Sequence, residues 1–188
     1  FLCAGAFYFA ETLGKQDIAK TLEEVNFSNR NTALVVEENV RLMLTQTDSV
    51  LLMMKTDLEA QGFIDPTHQK LLQTFLQVTP IHQIGIANAS GDFIFSAIPL
   101  TQATNIADRE HFKVHLQNDA AGLFISQPLI SPVVPKATIF LSRRINDSQG
   151  NFKGVVSIGL EQQFLSNLFE KLSLNESNSF TLLRKDGI

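Results

Sequence analysis

A stripe of mostly hydrophobic positions follows helical spacing through residues 36–58. It consists of Val36, Val40, Met43, Thr47, Val50, Met54 and Leu58. Steps of four and three residues are the spacing of a helix that packs along one seam. Between residues 11 and 60 there is no proline, and Gly14 is the only glycine. The pattern predicts one long N-terminal helix that ends at Gly62.

The lower part of this helix, residues 11–33, is more polar than the upper part. A helix of this kind is typical of a stalk that leads into a domain. An ordinary long helix of a globular protein and a coiled-coil dimer seam are the alternatives. A shorter helix is predicted next, because Asp65 is a favourable N-cap and Pro66 suits the first helical position. Pro80 ends it.

Beyond residue 80 the hydrophobic pattern alternates with a period of two, which is typical of β-strands. Ile84 and Ile86 belong to a first strand, and residues 93–95 return as a second strand after a turn at 89–92. Further strands are predicted at 122–129, 137–145, 152–161 and 179–184, with a similar polar turn at 146–151.

Two more helices complete the predicted elements. One runs from Arg109 to Gln117 with Asp108 as its N-cap, and the other covers residues 162–172. Antiparallel strands with helices outside the sheet indicate an α+β domain. We therefore expect a long N-terminal helix packed on a central antiparallel sheet with short flanking helices.

Composition and charge exclude some classes of function. The net charge is −4 at pH 7, which argues against a nucleic-acid partner because phosphates require a basic face. The chain has fifteen Phe but only one Tyr and no Trp, so the aromatic platforms that often grip bases or polar ligands are missing. With Cys3 as its single cysteine, the chain has no intrachain disulfide and no thiolate metal cluster.

Residues 1–10 are uncharged and almost entirely apolar. As a helix they would span roughly 15 Å, about half of a bilayer's hydrocarbon core. We interpret them as the outer end of a truncated transmembrane helix; a signal-peptide remnant or the start of a buried helix are the alternatives. The following flank has no excess of basic residues, which favours an extracytoplasmic position for the domain at 11–175.

Three segments together resemble the Cache family of bacterial sensor domains, also called PDC or extracellular PAS-like domains. They are IGIANASGDFIFS at 84–96, ADREHFKVH at 107–115, and LFISQP at 123–128 with IFLSRRI at 139–145 and GVVSI at 154–158. The resemblance covers roughly residues 11–188 and is strongest to the membrane-distal half of the double version. It implies a PAS-like sheet and a second, truncated domain within residues 176–188.

The same resemblance implies a periplasmic domain between two transmembrane helices of a histidine kinase, diguanylate cyclase or chemoreceptor in the bacterial inner membrane. One departure is informative. In the family, the subgroup that binds amino acids is identified by a Tyr/Arg/Trp/Tyr signature. This chain does not contain that signature. Amino acids are therefore disfavoured as ligands. His111 also stands where the family's helix usually has Tyr.

Arg109 is the first candidate for ligand binding. In the family an arginine at this place reaches the ligand carboxylate, and a planar guanidinium suits bidentate capture. Exposure to solvent or pairing with Asp108 or Glu110 is the alternative. His111 is a second possible donor to the same anion, and a half-buried structural histidine is its alternative role.

Ser126, Ser157 and Gly159 are weaker candidates on the predicted strands. Each serine hydroxyl would bond either a ligand oxygen or the nearby backbone, and Gly159 would leave room for a ligand or mark a bulge. Arg143 and Arg144 must point to opposite faces of their strand, and we expect both to reach solvent.

His111 and His115 have the i,i+4 spacing of paired metal ligands, but no third ligand stands out, so we expect no metal and no cofactor. No nucleophile–base arrangement suggests catalysis. We therefore expect a sensor for a small molecule such as an organic acid, not an enzyme. The Val36–Leu58 stripe is expected to double as a homodimer contact. The alternative is a ligand-free periplasmic scaffold that responds to a protein partner.

Overall fold

The computed structural model describes residues 2–172. The strand predicted at 179–184 and the second domain predicted within 176–188 lie outside the described residues. By its internal contacts the chain divides into two units, residues 1–42 and residues 43–188.

The predicted N-terminal helix is present as α1 (Leu2–Ala60). In the first unit it carries local side-chain bonds such as the ion pair between Arg41 and Glu38 (Nη2 to Oε1, 2.6 Å). Exposed large hydrophobic side chains in this unit include Ile18, Leu22, Val25, Phe27, Leu34 and Val35. Among the side chains whose burial is described, Val36 is the first buried hydrophobic one. Within residues 2–172, no helix combines the length and apolarity needed to cross a membrane.

In the second unit, the stripe of α1 lies in the hydrophobic core. Thr47, Met54 and Leu58 are 2%, 0% and 4% exposed, and Met54 and Leu58 pack in one cluster with residues of the sheet. Val50, Met54 and Leu58 of the stripe are therefore engaged within their own chain. The helix ends as predicted, since Gly62 adopts a φ of +82° and its N–H donates to the carbonyl of Leu58.

The second helix, α2 (Pro66–Val78), begins at the predicted cap. The Asp65 carboxylate accepts a hydrogen bond from the N–H of Thr67 at 2.8 Å, which satisfies one of the free donors of the first turn.

We expect the substitution Asp65→Ala to destabilise the domain by about 1 kcal/mol, because it removes this acceptor. Urea unfolding of both proteins measures the difference. Asp119→Ala, at an exposed turn position, is the matched control and should leave the midpoint unchanged. An equal loss in both variants would rule out the capping role.

The remaining elements form one antiparallel sheet with two further helices. The strands are β1 (Ile81–Asn88), β2 (Phe93–Ser96), β3 (Phe124–Ile125), β4 (Leu129–Ile130), β5 (Ala137–Asn146) and β6 (Phe152–Glu161); the helices are α3 (Glu110–Gln117) and α4 (Gln162–Leu172). The strand order is β2-β1-β6-β5-β3, and β4 also pairs with β5. The predicted α+β class, with a long N-terminal helix and a PAS-like antiparallel sheet, is confirmed.

Two turns of the same chemistry join the hairpin strands, as predicted. In the first, the Asn88 side chain accepts from the N–H groups of Ser90 and Asp92. In the second, Asp147 accepts from Gln149 and Asn151 in the same way. Each turn contains a glycine, Gly91 or Gly150, whose φ of +87° or +85° favours a residue without a Cβ.

The edge strand beside β5 is interrupted. Phe124 and Ile125 pair with Ser142 and Leu141 of β5. Leu129 and Ile130 pair further along the same strand, with Thr138 and Ala137. The single strand predicted at 122–129 is therefore two short strands, because Pro128 in the connection has no N–H to donate to a ladder.

The two faces of the sheet are covered by different helices. Ile84, Leu141 and Ile158 form a cluster with the buried residues of α1 and with Leu72 of α2. We call this side the inner face. Side chains alternate along each strand, so the neighbours of these residues lie on the opposite side, which we call the outer face. Helix α3 packs on the outer face, with Phe112 in a small cluster that contains Ala87 and Val155.

Candidate functional site

Polar and small residues occupy the middle of the outer face on three adjacent strands. Gln83 of β1 is opposite Gly159 of β6, which is opposite Phe140 of β5. In the next row, Gly85, Ser157 and Ser142 are opposite one another. Gln83, Ser157 and Ser142 are at most 2% exposed. Together with His111 and His115 of α3 we call Gln83, Ser142, Ser157 and Gly159 the outer-face cluster.

Helix α3 brings its two histidines onto β5. The His111 ring stacks on Phe140 with ring centroids 4.5 Å apart and an interplanar angle of 15°. One turn later, His115 Nε2 lies 3.0 Å from Ser142 Oγ. The i,i+4 spacing of the histidines thus matches the i,i+2 spacing of the strand residues beneath them. Both histidines are almost completely buried, at 1% and 0% exposed.

The hydrogen bonds of Ser142 determine the tautomer of His115. The Ser142 hydroxyl donates its single hydrogen to the carbonyl of His111 at 3.1 Å. It must therefore accept at its contact with His115, so His115 Nε2 carries the hydrogen. Nδ1 of the neutral ring is then a lone-pair acceptor, and it has no hydrogen-bond partner.

Burial keeps both rings neutral near pH 7. It lowers the pKa of His111 from 6.5 to about 4, assisted by the positive charge of Arg109 and by the repulsion that a protonated His115 would exert. Burial also lowers the pKa of His115 to about 4, against the opposing effect of its bond with Ser142, and the neighbouring Arg143, Arg144 and Lys55 lower it further. Removing a charge from water is the dominant cause in each case.

The orientation of the Gln83 amide is determined by the loop between β4 and β5. Ser131 Oγ accepts from the N–H groups of Val133 and Val134, at 3.1 and 3.2 Å, which occupies its two lone pairs. Its hydrogen therefore goes to Gln83 Oε1, 2.6 Å away. The Gln83 NH₂ group points away from Ser131 and has no partner.

Buried polar atoms without hydrogen bonds are found in this cluster. Within residues 2–172 the buried side-chain polar atoms without a hydrogen-bond partner are all nitrogens: His82 Nδ1, Gln83 Nε2, Arg109 Nε, His111 Nδ1 and His115 Nδ1. Three of them belong to the outer-face cluster. Native proteins pair almost all buried polar groups. The described residues hold no group of three metal-ligating side chains.

Arg109 lies at the margin of the cluster. It occupies the N-cap position of α3 without a capping side-chain bond. The prediction that Asp108 caps this helix is wrong, because Asp108 precedes the cap position and its carboxylate lies 3.5 Å from Arg109 Nε. The Arg109 side chain is 35% exposed, while its Nε is buried and lacks a hydrogen bond. The Arg109 side chain therefore lies close to Asp108, which agrees with the alternative that it pairs with a neighbouring carboxylate. Its Nε is nevertheless directed inward.

The other predicted residues have different surroundings. Ser157 and Gly159 lie in the outer-face cluster, where a Cβ on Gly159 would come within 2.9 Å of Thr138 and 3.2 Å of Gln83. The Ser126 hydroxyl donates to the carbonyl of Gln127 and accepts from the N–H of Phe140. Ser126 therefore holds the edge strand onto β5 with its hydroxyl group.

Arg143 and Arg144 point to opposite faces, as predicted, but the expectation that both reach solvent is wrong. On the inner face Arg143 Nη2 donates to Asp48 of α1 at 2.9 Å. On the outer face Arg144 donates to the carbonyl of His115 and stacks on Phe152, with its guanidinium 4.9 Å from the ring centroid. Both guanidinium groups find charge-assisted partners that bury part of each side chain.

The end of β5 is bonded to helices on both faces. Lys55 of α1 donates to the carbonyl of Arg144 at 3.0 Å, and the carboxylate of Glu59 accepts from the N–H of Asn146 at 2.7 Å. Arg144 itself bonds the last turn of α3 through His115. A short path of bonds therefore runs from the outer-face cluster to α1.

Sequence reasoning missed Gln83, Ser131 and Ser142. The available signal was the phase of the alternation. Because Ile84 and Ile86 face inward, Gln83 and Gly85 must face outward on a strand that lies inside the sheet. The hydrogen bond between Ser131 and Gln83 joins residues that are 48 positions apart. No local sequence pattern predicts it.

An open groove of about 320 Å³ lies elsewhere, lined by Lys136, Ala137, Glu161, Gln162, Gln163 and Ser166. Two of these lining residues, Lys136 and Glu161, form an ion pair with a distance of 3.0 Å between Nζ and Oε1. None of its lining residues belongs to the outer-face cluster.

The chain is similar to known proteins in its three-dimensional structure. No protein-family profile and no curated protein sequence matches the chain. The extracellular domain of rpHK1S-Z16, a protein assigned as a histidine kinase, matches with a TM-score of 0.67 and 22% identity over 82% of this chain and 61% of its own. The sensory domain of the Campylobacter jejuni chemoreceptor Tlp3 with bound isoleucine matches with a TM-score of 0.58 and 14% identity, over 79% and 62%.

A third match is the ligand-binding domain of the Pseudomonas aeruginosa PAO1 amino-acid chemoreceptor PctC in complex with GABA. It has a TM-score of 0.61 and 15% identity, over 76% of this chain and 66% of its own. The chain thus spans about 61–66% of the length of these three domains. The Tlp3 match is a sensory domain and the PctC match a ligand-binding domain, and at these identities the likeness establishes a shared fold.

Proposed function

We propose that this chain is the extracytoplasmic ligand-sensing domain of a membrane-bound bacterial signalling protein, a binding module of the Cache type and not an enzyme. The observation that carries the proposal is the outer-face cluster, where buried nitrogens without partners lie between α3 and the sheet. A buried polar group without a partner is unfavourable by about 1–3 kcal/mol, so a site of this kind favours a bound partner molecule. The shared fold with extracellular sensory domains supports the same conclusion.

We propose an organic acid as the ligand, held between α3 and the middle of the sheet. Arg109 at the margin supplies the positive charge, and His111, Ser157 and Gly159 surround the ligand. Ser126 supports the site through the edge strand, since its hydroxyl bonds the backbone of Phe140. The matched domains of Tlp3 and PctC are in complex with isoleucine and GABA, which supports a small-molecule ligand here.

We propose that ligand binding is signalled through a displacement of α1. A ligand that binds two arrangements of α3 with different affinity shifts the equilibrium between them. Arg144 bonds α3, and Lys55 and Glu59 bond the same end of β5 from α1, so a displacement of α3 is mechanically connected to α1. We propose that residues 1–10 are the end of a membrane helix that is continuous with the rest of α1, that the domain is the distal half of a double-Cache unit, and that the protein is a homodimer in the inner membrane.

Ligand-dependent melting of the full-length protein tests the sensor function. We expect a small carboxylate, present at 100 times its dissociation constant, to stabilise the domain by about 2.7 kcal/mol and raise its Tm by a few degrees. In Arg109→Ala the same concentration should give a markedly smaller shift, because the charge at the margin of the site is gone.

The matched control is Lys113→Ala, which removes a positive charge from an exposed position of the same helix and should keep the full shift. A shift that survives in Arg109→Ala would retain the sensor and reject this residue. The absence of any shift across a broad metabolite panel would replace the sensor with a scaffold domain that responds to a protein partner.

A further inference from the structure

We propose that the outer-face cluster selects organic acids without an ammonium group, and that Gln83 is the residue that makes this selection. The inference rests on the proposed sensor function. It adds the exclusion of amino acids from the proposed ligand class and a binding residue on β1. Three observations carry it: the orientation of the Gln83 amide, the charge state of the site, and the position of the buried carboxylate.

The Gln83 NH₂ group is an anchored donor. Its oxygen is held by Ser131, whose own lone pairs are used by Val133 and Val134. A reversed amide would place N–H groups against a hydroxyl that has no lone pair left for them. Gln83 therefore presents two N–H donors to the outer face, where it is 1% exposed, and the matching ligand atom is an acceptor oxygen.

The surroundings of Gln83 favour a negatively charged ligand. Gly159 lies between Gln83 and Phe140 in the sheet, and His111 stacks on Phe140. Arg109 Nε, two positions before His111, is a second buried donor without a hydrogen bond. Within the outer-face cluster, the ring acceptor fixed by its neighbours is His115 Nδ1, which suits a ligand hydroxyl. As a neutral ring it offers no charge to balance an ammonium.

Among the described residues, the outer-face cluster contains no acidic side chain; Asp108 lies at its margin, where it is 75% exposed and paired with Arg109. Asp57 is the only buried acidic residue among those described, and it is 8% exposed. Its carboxylate bonds His68 and the N–H of Asp65 at the junction of α1 and α2, and α1 and α2 cover the inner face of the sheet. An amino acid would have to bury its ammonium group on the outer face without a carboxylate, which is strongly unfavourable.

A panel of matched acids distinguishes ligands without an ammonium group from amino acids. The full-length protein is titrated calorimetrically with 2-oxo, 2-hydroxy and 2-amino acids of the same carbon skeleton, from three to six carbons, together with the corresponding dicarboxylic acids. Pyruvate, lactate and alanine are the smallest such set. We expect at least one oxo or hydroxy acid to bind at least tenfold more tightly than the amino acid of the same skeleton.

Gln83→Glu is the diagnostic variant. Its carboxylate keeps the acceptor for Ser131 and nearly the same shape, but it replaces the NH₂ donors with a negative oxygen. We expect it to lose at least tenfold in affinity for the preferred acid. Gln163→Glu, which makes the same change at an exposed position of α4, should bind as the parent does. Ser131→Ala frees the amide oxygen but keeps the donors, so it should lose less affinity than Gln83→Glu.

The outcomes distinguish the inference from the function on which it rests. Tightest binding of a 2-amino acid would overturn the inference and leave the sensor function intact, as would unchanged affinity in a folded Gln83→Glu. If no member of the panel and no other metabolite binds, both fail. Circular dichroism at the titration temperature shows whether each variant is folded, and if Gln83→Glu unfolds, the comparison is made with Gln83→Met, which lacks the donors without adding a charge.

Discussion

Lowering the pH from 7 to 4 is expected to destabilise the domain by several kcal/mol. His111 and His115 have pKa values of about 4 in the folded protein and about 6.5 when unfolded. Between these values the unfolded chain binds more protons than the folded one, so stability falls as the pH falls. One pKa unit corresponds to about 1.4 kcal/mol, which gives each ring an upper limit of about 3 kcal/mol.

Urea unfolding at intervals between pH 7.5 and 4 measures this effect. His111→Phe keeps a ring against Phe140 but does not titrate, so it should flatten the pH profile by about half. The groups around the two histidines are Arg109, Asp108, Ser142, Arg143, Arg144 and Lys55. A variant with the same slope as the parent would show that the acid sensitivity arises elsewhere.

His68 works in the opposite direction and must be separated from this pair. Its bond to Asp57 raises its pKa above 6.5, with a further contribution from the charge of Asp65. Its stabilising contribution is therefore fully present below pH 6.5 and is lost as the pH rises through the raised value. A His68→Gln variant should lose the gain in stability that the parent shows as the pH falls from 7.5 to 6.5, and it should keep the parent's slope below pH 6.5, where the contribution of His68 is constant.

Leu51→Ala is expected to destabilise the domain by about 2–5 kcal/mol, because it leaves a cavity in the main core. Leu51 is 0% exposed and packs with Met54, Ile84 and Leu141. Chemical denaturation of the parent and the variant measures the loss, which should appear as a lower midpoint with an unchanged slope.

Leu52→Ala provides the control on the adjacent position. Leu52 is 41% exposed, so its truncation should cost less than about 1 kcal/mol in the isolated chain. Equal losses in the two variants would contradict the orientation of α1. Sedimentation analysis adds a test of dimerisation. If α1 pairs through the face that carries Leu52, this variant should weaken the dimer while Leu51→Ala weakens the fold.

Much of the fold could be predicted because its signals are local. The hairpin turns carry their own hydrogen-bonding side chains in Asn88 and Asp147, and the cap of α2 lies within three residues of its target. The upper part of α1 was harder, since adjacent leucines at 51 and 52 have opposite surroundings. Hydrophobicity alone does not distinguish a residue in the core from its exposed neighbour when both are leucine.

The site could be predicted only in part. His111 and Arg109 were found because a local motif carries them. Gln83 was missed because its role depends on Ser131, which reaches it only after the sheet has formed. The hydrogen-bond partners of Arg143 and Arg144 could not be predicted either. Asp48 and the carbonyl of His115 lie on elements that are distant in sequence from β5. Alternation gives the face of a side chain but not the partner that meets it there.

The short and interrupted edges of the sheet bear on how the protein behaves at high concentration. An exposed edge strand offers unpaired backbone groups to other molecules and promotes aggregation when it is long and flat. At one edge β2 has four residues, and at the other β3 and β4 have two each. Within the described residues, neither edge gives a foreign strand a continuous template, which lowers the tendency of neighbouring copies to associate through their sheet edges.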